Sequence, residues 1–175
     1  MKNAVTLSVF LIFSLIILSG CSTETVSKVD PSVDSQINEI DKTAIFNHVV
    51  SGSVMAFAEN WDADAEDDGL KIYPKLNDPL GEPVKFDNYE LPVHVEIYEL
   101  EYQGYDEVKG RLLFEGDSII DSWEDGNFMF NGGIKLSFED IASTEETYGM
   151  IYTTTKLPDG REIEAKETGV RLKAE

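Results

Sequence analysis

Leu91-Pro92-Val93-His94-Val95-Glu96-Ile97 puts apolar side chains at positions 91, 93, 95 and 97, with His94 and Glu96 between them. A period of two is the mark of a strand with one face buried. The apolar register then slips to Tyr98, Leu100 and Tyr102, which predicts a bulge that re-aims the side chains. The same alternation extends outward in both directions. Leu70, Ile72 and Leu76 alternate with Lys71, Tyr73 and Lys75, and Val108, Leu112 and Phe114 continue the pattern, as do Ile134, Leu136 and Phe138. Turn signals separate these runs. Glu115-Gly116 is expected to reverse the chain, Asn131-Gly132 to close a hairpin between Phe130 and Ile134, and Pro158-Asp159-Gly160 to close another. Many short strands with regular turns and no βαβ alternation predict a mainly β fold, a two-sheet antiparallel sandwich.

Upstream, the period disappears. Lys2 precedes a 15-residue apolar run, Ala4 to Leu18, and Leu18-Ser19-Gly20-Cys21 follows at once. Charge, apolar core and small residues in that order describe a secretory leader. The run is shorter than the roughly 20 residues of a spanning helix, and Thr6, Ser8 and Ser14 interrupt it. Cys21 is the only cysteine, so an ordinary exported thiol would stay unpaired. Ser22 to Asp30 is polar and reads as a tether that could extend about 30 Å. Asp30-Pro31 then offers a helix N-cap and first position, and Val33, Ile37, Ile40 and Ala44 follow at helical spacing. The expected organisation is a leader over 1–20, a tether over 21–30, a short amphipathic helix over 31–47 and the β domain over 48–175.

Two resemblances sharpen this organisation. Leu18-Ser19-Gly20-Cys21 resembles the lipobox of prokaryotic lipoproteins, which implies cleavage before Cys21 and a diacylglyceryl group on its thiol. The implied location is extracytoplasmic, anchored to the cell membrane through that lipid. Asp78, Gly81, Pro83 and Val84, between the strands at 70–76 and 93–97, follow the D-x-x-G-x-P-V turn of immunoglobulin-like, invasin-type surface modules. That likeness covers about 30 residues and implies a sandwich with a binding or spacer role. The disulfide of antibody domains has no counterpart, since Cys21 is the sole cysteine.

Charge narrows the partners. The chain carries 14 basic and 34 acidic side chains, a net −20, and removing Lys2 with the leader makes it −21. Nucleic acid is excluded as a partner by the lack of clustered bases, and an anionic bilayer surface would repel the domain. Trp61-Asp62-Ala63-Asp64-Ala65-Glu66-Asp67-Asp68-Gly69 is the candidate cation loop. Asp62, Asp64, Glu66 and Asp68 would supply oxygens to Ca²⁺, as alternating ligands before a glycine do in calcium loops. Lys75 stands where a full EF-hand places its bidentate Glu, so only a shorter loop completed by other segments fits. With strictly alternating strand directions, 62–68, 103–107, 124–126 and 139–146 would gather their acids at one pole. A rival site is a glycan surface formed by Trp61, Trp123, Tyr98, Tyr102 and Tyr105 beside carboxylates.

Catalytic patterns are sparse. His48 and His94 are the only histidines, and neither H-E-x-x-H, G-x-S-x-G nor a phosphate loop occurs. No Asn-x-Ser/Thr acceptor occurs either. The sequence therefore reads as a lipid-anchored, non-catalytic binding or structural module, with an envelope protein or glycan as partner. The rival class is a surface hydrolase using paired carboxylates, although the spacing selects no pair.

Overall fold

The computed structural model describes residues 43–62 and 64–173. The leader, Cys21, the tether and most of the 31–47 helix lie outside the described residues. What is described of that helix ends in one 3-10 turn, Ile45–His48. Its Phe46 side chain is buried against the rings of Phe86 and Tyr89, at 5.4 and 5.0 Å between centroids. Among the described residues, no helix is long and apolar enough to cross a membrane.

Among the described residues seven strands follow: β1 Ser51–Glu59, β2 Gly69–Asn77, β3 Leu91–Gln103, β4 Asp106–Ile120, β5 Ile134–Ser137, β6 Tyr148–Lys156 and β7 Glu162–Arg171. They form two antiparallel sheets, in the order β1-β2-β5 and β4-β3-β6-β7. The protein is a mainly β sandwich. Val54, Ala56, Leu70, Ile72 and Leu136 of the first sheet share one buried core with Val93, Val95, Ile97 and Ile151 of the second. Leu70, Ile72, Ile97 and Ile151 have no exposed surface, so each contributes on the order of 2 kcal/mol of burial. The expected bulge is present, with the β3–β4 register shifting between Ile97 and Tyr98.

Three of the predicted turns meet different fates. Leu157 N–H donates to the Arg161 carbonyl at 2.8 Å, and Gly160 has φ +85°, so Pro158-Asp159-Gly160 closes the β6–β7 hairpin. Glu115-Gly116 does not turn; it lies inside the 15-residue β4. Gly116 suits an inward position there, because a Cβ would lie 2.7 Å from the Phe114 ring. Asn131-Gly132 does not close a hairpin, because β4 and β5 belong to different sheets. The 78–90, 121–133 and 138–147 segments each cross from one sheet to the other.

Arg161 fixes one end of the sandwich by donating to the Val49 and Phe46 carbonyls at 2.6 and 2.7 Å. Trp123 N–H donates to the Phe86 carbonyl at the same end, at 3.0 Å. The opposite end holds the 60–68 loop, the β3–β4 hairpin tip and the 138–147 crossing, where Phe138 N–H donates to the Asp68 carbonyl at 3.0 Å.

Candidate functional site

The acidic pole assembles only in part. Because β4 runs through Glu115-Gly116 without reversing, Glu124-Asp125-Gly126 falls at the Arg161 end and not with the other three loops. Its Asp125 carboxylate serves a local helical turn. Asp125 Oδ2 accepts from the N–H groups of Asp121 and Ser122 at 2.9 and 3.3 Å, and Glu124 N–H donates to Ser122 Oγ at 3.2 Å.

The 60–68 loop keeps Asp62, Asp64, Glu66 and Asp68 in one turn-rich segment. One carboxylate oxygen each of Asp62, Asp64 and Asp68 accepts from the loop's own amides. Asp62 Oδ1 accepts from Asp64 N–H at 3.1 Å, Asp64 Oδ1 accepts from Glu66 N–H at 2.9 Å, and Asp68 Oδ2 accepts from Trp61 N–H. The Asn60 amide donates to the carbonyls of Asp64 and Glu66 at 2.8 and 2.7 Å. An incoming cation would have to compete with these amides. Among the described residues, no three His, Cys, Asp or Glu side chains group so as to hold a metal ion.

The aromatic residues proposed for a glycan surface are also dispersed. Trp61 lies under the Lys135 ammonium, 5.1 Å from its ring, while Trp123 packs on Phe130 and Lys85. Tyr98 and Tyr152 meet edge to face on the outer side of the second sheet, with Lys109 over both rings. Tyr102 and Tyr105 are exposed on the projecting β3–β4 hairpin. His94, on β3, joins a polar ladder: its Nδ1 lies 2.7 Å from Asp117 Oδ1, and its Nε2 lies 3.5 Å from Glu115 Oε1. The hydrogen bond to Asp117 raises the His94 pKa; burial opposes it, and the charges of Asp117, Glu115 and Glu96 add to it. His48 is exposed at the end of its 3-10 turn.

The sequence singled out parts of the 121–133 crossing but not its course. The segment lies across the outer face of β2. A Cβ on Gly126 would meet the Pro74 carbonyl at 2.4 Å, and one on Gly133 would meet the Tyr73 ring at 3.0 Å. Pro74 is tolerated in β2 because β5 pairs only as far as Ile72, leaving that position paired on one side. Under the crossing, Lys71 and Tyr73 are buried beside Glu59. Lys71 Nζ lies 3.7 Å from Glu59 Oε2, and Tyr73 OH donates to Glu59 Oε1 at 3.1 Å. Burial, reinforced by the Glu59 charge, pushes the Tyr73 pKa up to about 12.

The upper side of the crossing is apolar. Phe128 and Met129 are 56% and 79% exposed, and Phe130 is exposed beside them. Phe128 packs against Phe57 of β1 at 6.3 Å between centroids, and Phe57 is itself half exposed. Phe57 and Phe128 meet in space, and Met129 and Phe130 follow Phe128 along the chain, with Phe130 against Trp123, to give an exposed apolar ridge. Asn127-Phe128-Met129-Phe130-Asn131 was the available sequence signal, an apolar triplet framed by turn-forming residues. No known protein family matches the chain, and no curated protein or solved structure is detectably similar to it.

Proposed function

We propose that the chain is a lipid-anchored, extracytoplasmic binding module whose docking surface is the Phe57–Phe128–Met129–Phe130 ridge. The ridge carries the proposal. Large apolar side chains scattered singly on a surface need no explanation, whereas a contiguous group calls for a partner. This group is also held firmly. Gly126 seats the segment on β2, and the Ser122 and Asp125 side chains cap its helical turn. A preorganised apolar surface loses little conformational entropy on docking. The leader and lipobox supply the location, since the lipid supports a second, protein-mediated attachment within the envelope.

Two readouts test the two halves separately. In membrane fractionation, the wild type partitions into the detergent phase and carries acyl label, whereas Cys21→Ala does neither; equal membrane retention of both would overturn the anchor. A photo-crosslinking residue at position 129 gives a discrete adduct in cells. The doubly substituted Phe57→Ser/Phe128→Ser protein loses that adduct while remaining folded. An adduct unchanged by the double substitution would overturn the ridge.

A further inference from the structure

The sandwich closes differently along its two lateral edges. On one side β1 runs against β7, so that a Cβ on Gly52 would meet Ile163 at 3.0 Å and Ala165 at 3.3 Å. On the other side the 15-residue β4 faces β5, which has four residues. A cavity of about 240 Å³ opens between the sheets there, lined chiefly by Val95, Phe114, Gly116, Ile134 and Leu136. It falls below the roughly 300 Å³ at which small-molecule sites begin. One large apolar side chain suits it better than a cofactor.

The strand beside the cavity has a free edge. β4 ends its sheet. Among the described residues, the one backbone hydrogen bond it receives outside its ladder with β3 runs from Ala142 N–H to the Leu113 carbonyl, at 2.9 Å. Residues 114–120 therefore present unpaired peptide groups next to an apolar slot. An added strand would alternate its side chains between the two faces. A residue opposite Gly116 would point inward, into the slot beside the Phe114 ring, and its neighbours would lie outward beside Glu115 and Asp117.

We propose that this slot and edge bind an extended, basic peptide segment of another protein, which adds a strand to β4 and inserts one apolar side chain between the sheets. Main-chain pairing would supply affinity and the slot specificity, as in strand addition generally. Charge selects the occupant. Glu115 and Asp117 side chains are 56% and 84% exposed on the outer face of β4, while Lys135 and Asp140, which also line the cavity, offset each other. Lysines or arginines flanking the inserted residue meet those two acids. A second copy of the chain would bring Glu115 and Asp117 against their own kind across the edge, a like-charge pairing that disfavours association. The chain's own 22–42 segment carries Lys28 and Lys42 against Glu24, Asp30, Asp34, Glu39 and Asp41, so it too has the wrong sign. The slot lies apart from the apolar ridge, and the proposal stands without it.

The test uses the full chain in detergent solution, with localised hydrogen exchange as the readout. The probe is the synthetic peptide Lys-Val-Lys-Ile-Lys-Val-Lys, compared with Glu-Val-Glu-Ile-Glu-Val-Glu. With a dissociation constant of about 0.1 mM, about 1 mM basic peptide slows exchange across 114–120 by about tenfold. The acidic peptide leaves that exchange unchanged. Ser118→Leu, which fills the slot from the inward side of β4, abolishes the protection, and Asp117→Lys, at an exposed side chain that leaves the core untouched, reduces it. Any of four results would overturn the proposal: equal protection by the acidic peptide, protection confined to other segments, protection that survives both substitutions, or concentration-dependent protection of 114–120 without peptide, which would assign the edge to a second copy.

Discussion

The outer faces of the two sheets began from similar sequences and ended in opposite environments. On β3, His94 and Glu96 alternate with buried valines and lie in a solvated ladder with Asp117, Glu115 and Lys109. On β2, Lys71 and Tyr73 alternate with Leu70 and Ile72 in the same way, yet both are buried. The difference is the 121–133 crossing, which lies over one outer face and not the other. Alternation thus reports which side chains share a face, and tertiary structure decides whether that face meets water. The consequence is electrostatic. A charge on the open face is screened, whereas Lys71 depends on Glu59.

Removing Glu59 should break this contrast most severely. Glu59→Ala leaves the Lys71 ammonium buried without its carboxylate, and denaturant unfolding should show a loss of about 3 kcal/mol. Lys71→Met, which removes the charge and keeps the volume, should cost far less in the same measurement. A similar loss for both would mean that packing, not the stranded charge, sets the cost.

Lifting the cover should come next. Gly126→Ala places a Cβ within 2.4 Å of the Pro74 carbonyl, and backbone on both sides leaves little room to yield. Overpacking of this kind costs about 2 kcal/mol. Amide exchange should quicken over 121–133 and over β2, and not over β3. Uniformly faster exchange would show that the crossing is no separate cover.

The open face should respond least, and in a pH-dependent way. The Asp117 hydrogen bond holds the folded-state His94 pKa above its ordinary value of 6.5. A raised pKa means that the folded state binds the proton more tightly. The contribution is therefore fully present below about pH 6.5, and it is lost as pH rises through the folded-state value. The melting temperature of the wild type should exceed that of His94→Gln at acidic pH, and the gap should narrow at alkaline pH. A gap independent of pH would mean that the ring acts only by packing.

Much of the fold was legible in the residues. Val93-His94-Val95-Glu96-Ile97 specified β3, the register slip marked its bulge, and Pro158-Asp159-Gly160 marked a true hairpin. The largest error has a definite physical origin. Gly116 looked like a turn because glycine usually is one, but here it answers a packing demand from Phe114 that is invisible along the chain. Reading that strand as two puts Glu124-Asp125-Gly126 at the wrong end, while the second false turn, Asn131-Gly132, restores the direction for 139–146. The acidic loop was legible as a loop. Its oxygens' engagement with Trp61, Asp64 and Glu66 amides was not, because those bonds depend on how the turn winds. The ridge was missed because Phe128-Met129-Phe130 has neither a period of two nor one of 3.6.

The brevity of β5 and its distance along the chain from β2 also bear on how the molecule comes together. β3–β4 and β6–β7 close through short local turns, whereas the first sheet waits for Ser137 to reach Gly69. Loops of that length close slowly, and sandwiches built on such pairings fold in roughly milliseconds to seconds. Until β5 docks, one flank of β2 stays an open edge, the kind of surface along which nascent chains aggregate. The acids that give this chain its net −20 then act during folding as well as in the folded state, keeping half-assembled copies apart until β5 docks.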